Sequence, residues 1–395
     1  MNKIVDSTNN PAMSLLLCFA HLRWDFVTQR PQHLLNRAAR ANRVVYFEEP
    51  LFEDEVRPHL RERVEPSGVT VAVPVLPHGI ADADAALRVL VDELLVDQPH
   101  GRLVTWYYTP MALAFSKHLR PDVCVYDCMD ELAAFAHAPA GMKQLEAMLF
   151  DRSDLVFTGG QSLYEAKRAH HPSVHCFPSS IDARHFERAR NRPGDPQDQA
   201  SIPHPRIGFF GVIDERMDPD LVREVVAAMP EVHFVMLGPV VKIDPATLPQ
   251  APNLHWLGMK SYGDLPAYLG NWDAGWMPFA LNDATRFISP TKTPEFLAAG
   301  LPVTSTAVKD VVSGYGEAGL VRVADRDGMV AALRASLAAR SPEWLARVDA
   351  KLAEGSWDRT WLAMQRLINR VPARVAPRGI LRLATPAAKE SVGAR

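Results

Sequence analysis

The chain has 395 residues, 47% of them hydrophobic and 23% charged. Those fractions lie near the averages for soluble globular proteins, which excludes wholesale disorder, and the length predicts two or three domains. Forty-three Lys and Arg against 46 Asp and Glu leave a net charge of −3, so no electrostatic signature of a nucleic-acid partner is present.

The four cysteines (Cys18, Cys124, Cys128, Cys176) include no C-x-x-C pair. They predict neither a disulfide scaffold nor a zinc ribbon, and a reduced, cytoplasmic compartment. No apolar run reaches the ~18 residues of a membrane span, and the first dozen residues read as a frayed tail rather than a signal peptide.

In chain order, strands are expected at 14–20, 43–48, 69–75, 103–107, 123–126, 154–158 and 174–177. Most are continuously apolar, as strands are when helices cover both faces of a parallel sheet. Helices are expected between them at 32–40, 83–95, 141–150 and 162–169. Residues 187–205 hold four prolines and many polar residues, which predicts a linker. The alternation then restarts, with strands at 206–210, 233–237, 254–256, 274–277, 302–305 and 320–323. Helices are expected there at 220–228, 264–269, 292–299 and 328–338. Trp357, Trp361, Met364, Leu367 and Ile368 recur at helical spacing, so a last helix at 357–370 docks on the protein. Residues 372–395 read as a flexible basic tail, solvated or in weak contact with anionic lipid heads. The expected class is α/β, two doubly wound Rossmann-like domains (13–186 and 206–356). They face each other across a cleft at the carboxyl ends of their strands, where ligands of open α/β sheets bind.

One segment after the strand at 274–277 carries the clearest chemistry. Ser289 and Pro290 read as N-cap and first-turn proline, Gly300 as C-cap, and Pro302 stops the helix. A helix N-terminus suits a phosphate. Lys292 in the first turn opposes the helix dipole unless an anion is bound. Glu295, one turn in, suits the hydroxyls of a ribose. The same pattern also fits a capped surface helix.

Trp276-Met-Pro-Phe279 followed by Ser289-Pro-Thr-Lys-Thr-Pro-Glu-Phe-Leu-Ala-Ala-Gly-Leu-Pro-Val303 resembles the donor-site segment of GT-B glycosyltransferases, most of all family 4 ("glycosyl transferases group 1"). Arg30-Pro-Gln-His-Leu34, Tyr126-Asp-Cys-Met-Asp-Glu-Leu132, Gly208-Phe-Phe-Gly-Val-Ile-Asp-Glu-Arg216 and Asp273-Ala-Gly-Trp-Met-Pro-Phe279 are similar to a bacterial branch associated with cell-surface polysaccharides. The resemblance spans residues 14–370. It implies a nucleotide-sugar donor held by the C-terminal domain at Gly211, Arg216, Lys260, Tyr262, Ser289, Thr291, Lys292 and Glu295. Lys260 and Tyr262 would lie near the base. Two departures stand out. The family's first donor-loop acid falls at Phe287, and Val212 replaces the arginine expected after Gly211, leaving Arg216 as the nearest cation.

On the acceptor side the resemblance points to the loop after the first strand. His21 is a candidate base there, with Asp25 to orient it and Gln29 and Arg30 lining the cleft. Asp127, Asp130 and Glu131 crowd another strand end, as acceptor contacts, base, or acids stabilising the next helix. The implied protein is a metal-independent, retaining hexosyltransferase without a cofactor. It transfers a sugar to a glycan or lipid-linked acceptor, in the cytoplasm or peripherally at the inner membrane face. The helix at 357–370 would cross back to the first domain. A nucleotide-sugar epimerase of the same fold and a non-catalytic sugar-nucleotide-binding protein remain alternatives. Three further patterns carry no function. The G-x-G-x-x-G at 314–319 has strand and helix in the wrong order, Asp82-Ala-Asp84 opens a helix, and His170, His171 and His175 have no acidic or Cys partner at ligand spacing.

Overall fold

A computed structural model describes residues 13–372, apart from 55, 56, 99, 136 and 137. The frayed start and, beyond Pro372, the basic tail expected from sequence lie outside the described residues.

Among the described residues the first sheet has nine strands. They are β1 (Ser14–Phe19), β2 (Arg43–Phe47), β3 (Leu51–Glu53), β4 (His59–Val64), β5 (Val69–Pro77), β6 (Arg102–Tyr107), β7 (Val123–Cys128), β8 (Leu155–Thr158) and β9 (Val174–Cys176). Their order is β3-β5-β2-β1-β6-β7-β8-β9, with β4 antiparallel on β5. The second sheet contains β10 (Arg206–Phe210), β11 (His233–Leu237), β12 (Leu254–Gly258), β13 (Ala274–Met277), β14 (Val303–Ser305) and β15 (Val321–Val323). It is parallel throughout, in the order β12-β11-β10-β13-β14-β15.

Strand β1 shows why the apolar runs are continuous. Leu15, Leu17 and Phe19 enter one core and Leu16 and Cys18 the core on the opposite face. Each sheet also reverses its strand order beside its first strand, β1 against β6 and β10 against β13. Such a switch point leaves a crevice beyond the carboxyl ends, and this is what positions the site.

The last helix, Trp357–Arg370, returns to the first domain. Trp357, Trp361, Met364 and Ile368 are buried in the first-domain core, where Trp361 meets Trp106. Arg37 on the helix Arg30–Ala38 pairs with Asp358 at 2.9 Å. The segment 187–205 is not loose. Gln199 is fully buried, accepting from Trp272 Nε1 at 2.7 Å, and Asp195 pairs with Arg206 at 2.7 Å. These contacts fasten the strap to the second domain.

Several elements escaped the sequence reading, β4 and the helix Pro342–Leu352 being the longest of them. Most of β4 faces water and alternates charges rather than apolar residues. The helix Pro342–Leu352, capped by Ser341, buries only Val348 and Leu352. Among the described residues no helix is long and apolar enough to cross a membrane.

Candidate functional site

Gly211 directly follows β10 and Gly238 directly follows β11, both with positive φ (133° and 146°). A Cβ on Gly238 would lie 1.8 Å from the Gly211 carbonyl oxygen, and one on Gly211 would lie 1.8 Å from Cε and 2.4 Å from Nζ of Lys292. The bare backbone of Gly211 therefore lets Lys292 lie across the strand end. Gly211→Ala is expected to cost about 1–3 kcal/mol, the usual penalty for overpacking, read as a melting temperature lower by several degrees. An unchanged melting temperature would show that Lys292 moves aside freely.

Lys292 is flanked by Arg216, Glu295, Asp130 and Asp214. Burial pushes the Lys292 ammonium below its ordinary value, and Arg216 adds repulsion. Burial pushes the Glu295 carboxyl up, against the attraction of Lys292. Arg216 grips Asp214 through Nε at 2.9 Å and Nη2 at 2.7 Å, and its guanidinium stands 5.6 Å from the ring of Phe135 in the first domain. Asp130, two residues beyond β7, faces these cations from the first domain. Burial pushes it up to about 6, although Arg216 and Lys292 oppose the shift.

Two cavities meet at this point. A cleft of about 730 Å³ runs from Arg216 and Lys292 to the loop Met259–Tyr262 after β12, with one face of the helix Arg30–Ala38 opposite. A chamber of about 80 Å³ lies on the other side, bounded by Asp130, Met129, Phe279, Ile288 and Ser289. Gln29, Val212, Arg216, Thr291 and Lys292 line both cavities. The two cations thus stand between a large compartment and a small one.

Of the residues expected from sequence, Gly211, Lys260, Tyr262, Glu295 and Asp25 line the large cleft, and Arg30, Asp130 and Ser289 the small chamber. Arg216, Thr291, Lys292 and Gln29 line both. His21, Asp127 and Glu131 line neither. Asp127 is fully buried and held by Arg30 at 2.9–3.1 Å, so it is a structural counter-ion and not a base. Glu131 pairs with Lys167 at 2.7 Å. Asp25 does not orient His21; it pairs with Arg63 at 2.6 Å. Burial pushes His21 down to about 4, and its Nδ1 is buried without a hydrogen-bond partner among the described residues.

Ser289 is not the helix cap. The helix spans Lys292–Ala298 with Thr291 at its start, and no side chain caps it. The Ser289 carbonyl instead accepts from Ser179 Oγ of the first domain at 2.7 Å. Phe287 also leaves the donor loop, to pack on the first-domain core. Lys260 is held by Asp198 at 2.6 Å, and Tyr262 stacks on His185 with ring centroids 4.1 Å apart.

Sequence reasoning missed Asp214, Phe135 and Lys242. Asp214 stands two residues before Arg216, a local signal that was available. Phe135 and Lys242 meet only across the domains, at 5.3 Å, and no local pattern announces them. The three patterns set aside remain structural. Asp82 caps the helix Ala83–Asp97, a π-turn precedes Gly319, and His171 and His175 bond to Ser153 and Ser173. Among the described residues no group of three or more His, Cys, Asp or Glu stands together as a metal site.

No protein-family profile matches the chain. It is 26% identical over 241 residues, 56% of its length, to TuaH of Bacillus subtilis (strain 168), a protein described provisionally as a teichuronic acid biosynthesis glycosyltransferase. The match spans 59% of TuaH. Anabaena HepE, solved with UDP and glucose, superposes with a TM-score of 0.66 at 13% identity over 91% of this chain and 100% of its own. Sucrose-phosphate synthase of Thermosynechococcus elongatus gives 0.66 at 13% identity, over 91% and 99%. A UDP-forming trehalose-phosphate synthase of Burkholderia xenovorans gives 0.64 at 13% identity, again over 91% and 99%. Two Rossmann-like domains across a cleft, tied by a returning C-terminal helix, give this chain the GT-B fold.

Proposed function

We propose that this protein is a glycosyltransferase that moves a sugar from a nucleoside diphosphate sugar to a glycan or lipid-linked acceptor in bacterial polysaccharide biosynthesis. The carrying observation is the pair Arg216 and Lys292 between two compartments of unequal size. The large cleft takes the nucleoside, with Glu295 at the ribose and the loop Met259–Tyr262 at the base. The small chamber takes the sugar. As the glycosidic bond breaks, the leaving diphosphate gains charge, and a preorganised cation pair stabilises that charge. The pair takes the electrostatic role a divalent metal fills elsewhere, so the reaction runs without one. Asp130 is the carboxylate on the sugar side, where Phe287 leaves the donor loop without an acid. Raised to about 6, it is still ionised at pH 7.5 and is a stronger base than an ordinary aspartate. It receives the proton of the acceptor hydroxyl. Retention of configuration follows the resemblance to family 4. The likeness to TuaH and to HepE, solved with UDP, supports the assignment.

Calorimetry with UDP, GDP and ADP in EDTA tests it. One of the three is expected to bind. Glu295→Ala is expected to weaken that nucleotide about 10- to 100-fold, the worth of a charge-assisted hydrogen bond. If no nucleotide binds at millimolar concentration, the assignment fails. If one binds but its sugar is never transferred, the protein is a sugar-nucleotide-binding protein.

A further inference from the structure

The chain leaving β8 reads Thr158-Gly-Gly-Gln-Ser162. Neither glycine has a positive φ, and Gly160 is extended (φ −170°, ψ 170°), a backbone that any residue adopts. Space is what each position requires. A Cβ on Gly159 would lie 2.7 Å from the carbonyl oxygen and 3.0 Å from the Cα of Met129, the residue before Asp130. A Cβ on Gly160 would overlap Asp310 Oδ2 and lie 2.7 Å from Ser289 Cβ, and both of those residues belong to the second domain. Two adjacent bare positions therefore carry the loop of Asp130 on one side and the donor loop on the other, at Ser289, three residues before Lys292.

Asp310 is 9% exposed and holds this seat from the second domain. Its Oδ1 accepts from Ser162 N at 3.0 Å and also from Ser162 Oγ. The neighbouring pair of Lys309 with Glu165, at 2.5 Å, is exposed and adds little. Arg216, Lys292 and Glu295 all come from the second domain, so their registration with Asp130 depends on contacts of this kind. The sugar chamber is likewise built from both halves. Met129, Asp130 and Gly159 come from the first domain, Ser289 and Lys292 from the second.

We propose that Asp310, seated on Gly160, is a positioning residue: it holds the Asp130 carboxylate in register with the Arg216–Lys292 pair and so completes the sugar chamber. This rests on the glycosyltransferase reading above. Asp310 lines neither cavity, so it acts through alignment alone. A misplacement of about 1 Å at the reacting groups costs about 100-fold in rate.

Gly160→Ala tests this cleanly, because its backbone suits alanine and the atoms its methyl meets lie in the other domain. Calorimetry identifies which of UDP, GDP and ADP binds. Release of that nucleotide from its glucose, galactose and mannose derivatives is then followed in wild type and variants. Gly160→Ala is expected to slow release about 100-fold, to raise the radius of gyration in solution scattering, and to leave nucleotide affinity unchanged. Asp310→Ala is expected to do the same and serves if Gly160→Ala does not fold. Asp310→Asn keeps the accepting oxygen and is expected to restore most of the rate. An unchanged rate in both Gly160→Ala and Asp310→Ala, an unchanged radius of gyration, or a nucleotide affinity that falls together with the rate would each overturn the proposal. A wild type that binds no nucleotide or releases none from these derivatives overturns the glycosyltransferase reading, and this role of Asp310 with it.

Discussion

Lys292→Met is expected to lower kcat/KM about 1,000-fold while leaving the melting temperature of the unliganded protein unchanged or higher. The two outcomes come from one fact. The Lys292 ammonium is buried beside Arg216, and both conditions disfavour its charge. A lysine whose folded-state pKa lies below its unfolded value destabilises the fold at every pH where it is charged, neutral pH included. Methionine keeps the stem that crosses Gly211 and removes that cost. The same ammonium is what a leaving diphosphate requires, and losing one preorganised donor to a developing anion typically costs 10²- to 10³-fold, about 4 kcal/mol at the upper end. Thermal denaturation with and without nucleotide separates this from simple damage. The variant should melt at or above the wild type alone and gain little when nucleotide is added. A variant that melts lower, or one that keeps its rate, would remove Lys292 from the role given to it. Stability sacrificed at a charged site is a common mark of function.

What was legible in the sequence was local or periodic. Strand β1 reads as a strand because both of its faces enter cores. Lys292 and Glu295 read as a pair because one turn of helix separates them. The limits are equally physical. Asp127 and Asp130 stand three positions apart and looked equivalent. Strand β7 ends at Cys128, so Asp127 is still inside the sheet, beneath an arginine 97 positions away, while Asp130 has left it and lines the small chamber. Ser289 fitted an N-cap by residue type, yet a contact from Ser179 claims its carbonyl and the helix starts later. Phe287 looked like a missing acid. Its side chain crosses to the first domain, a placement no pattern within the donor segment encodes. Each of these misassignments was decided by a partner in a distant segment.

The buried pair behind that contrast carries the largest stability effect. Arg30 is 2% exposed and Asp127 0%. The guanidinium donates to both Asp127 oxygens through Nε, again through Nη2, and to the Phe177 carbonyl at 2.7 Å. It joins the helix Arg30–Ala38 to β7 and to the chain leaving β9. Arg30→Met is expected to destabilise the first domain by about 3–5 kcal/mol, because removing one partner strands a buried charge. At roughly 2–4 °C per kcal/mol for a domain of this size, its melting transition should fall by about 10 °C. The double variant Arg30→Met/Asp127→Leu should recover much of that loss, since an apolar pair removes the stranded carboxylate. Activity should not return with it, because Arg30 also lines the small chamber beside Asp130. If the single variant melts within 2 °C of wild type, water reaches Asp127. The acid would then return to the list of candidate bases.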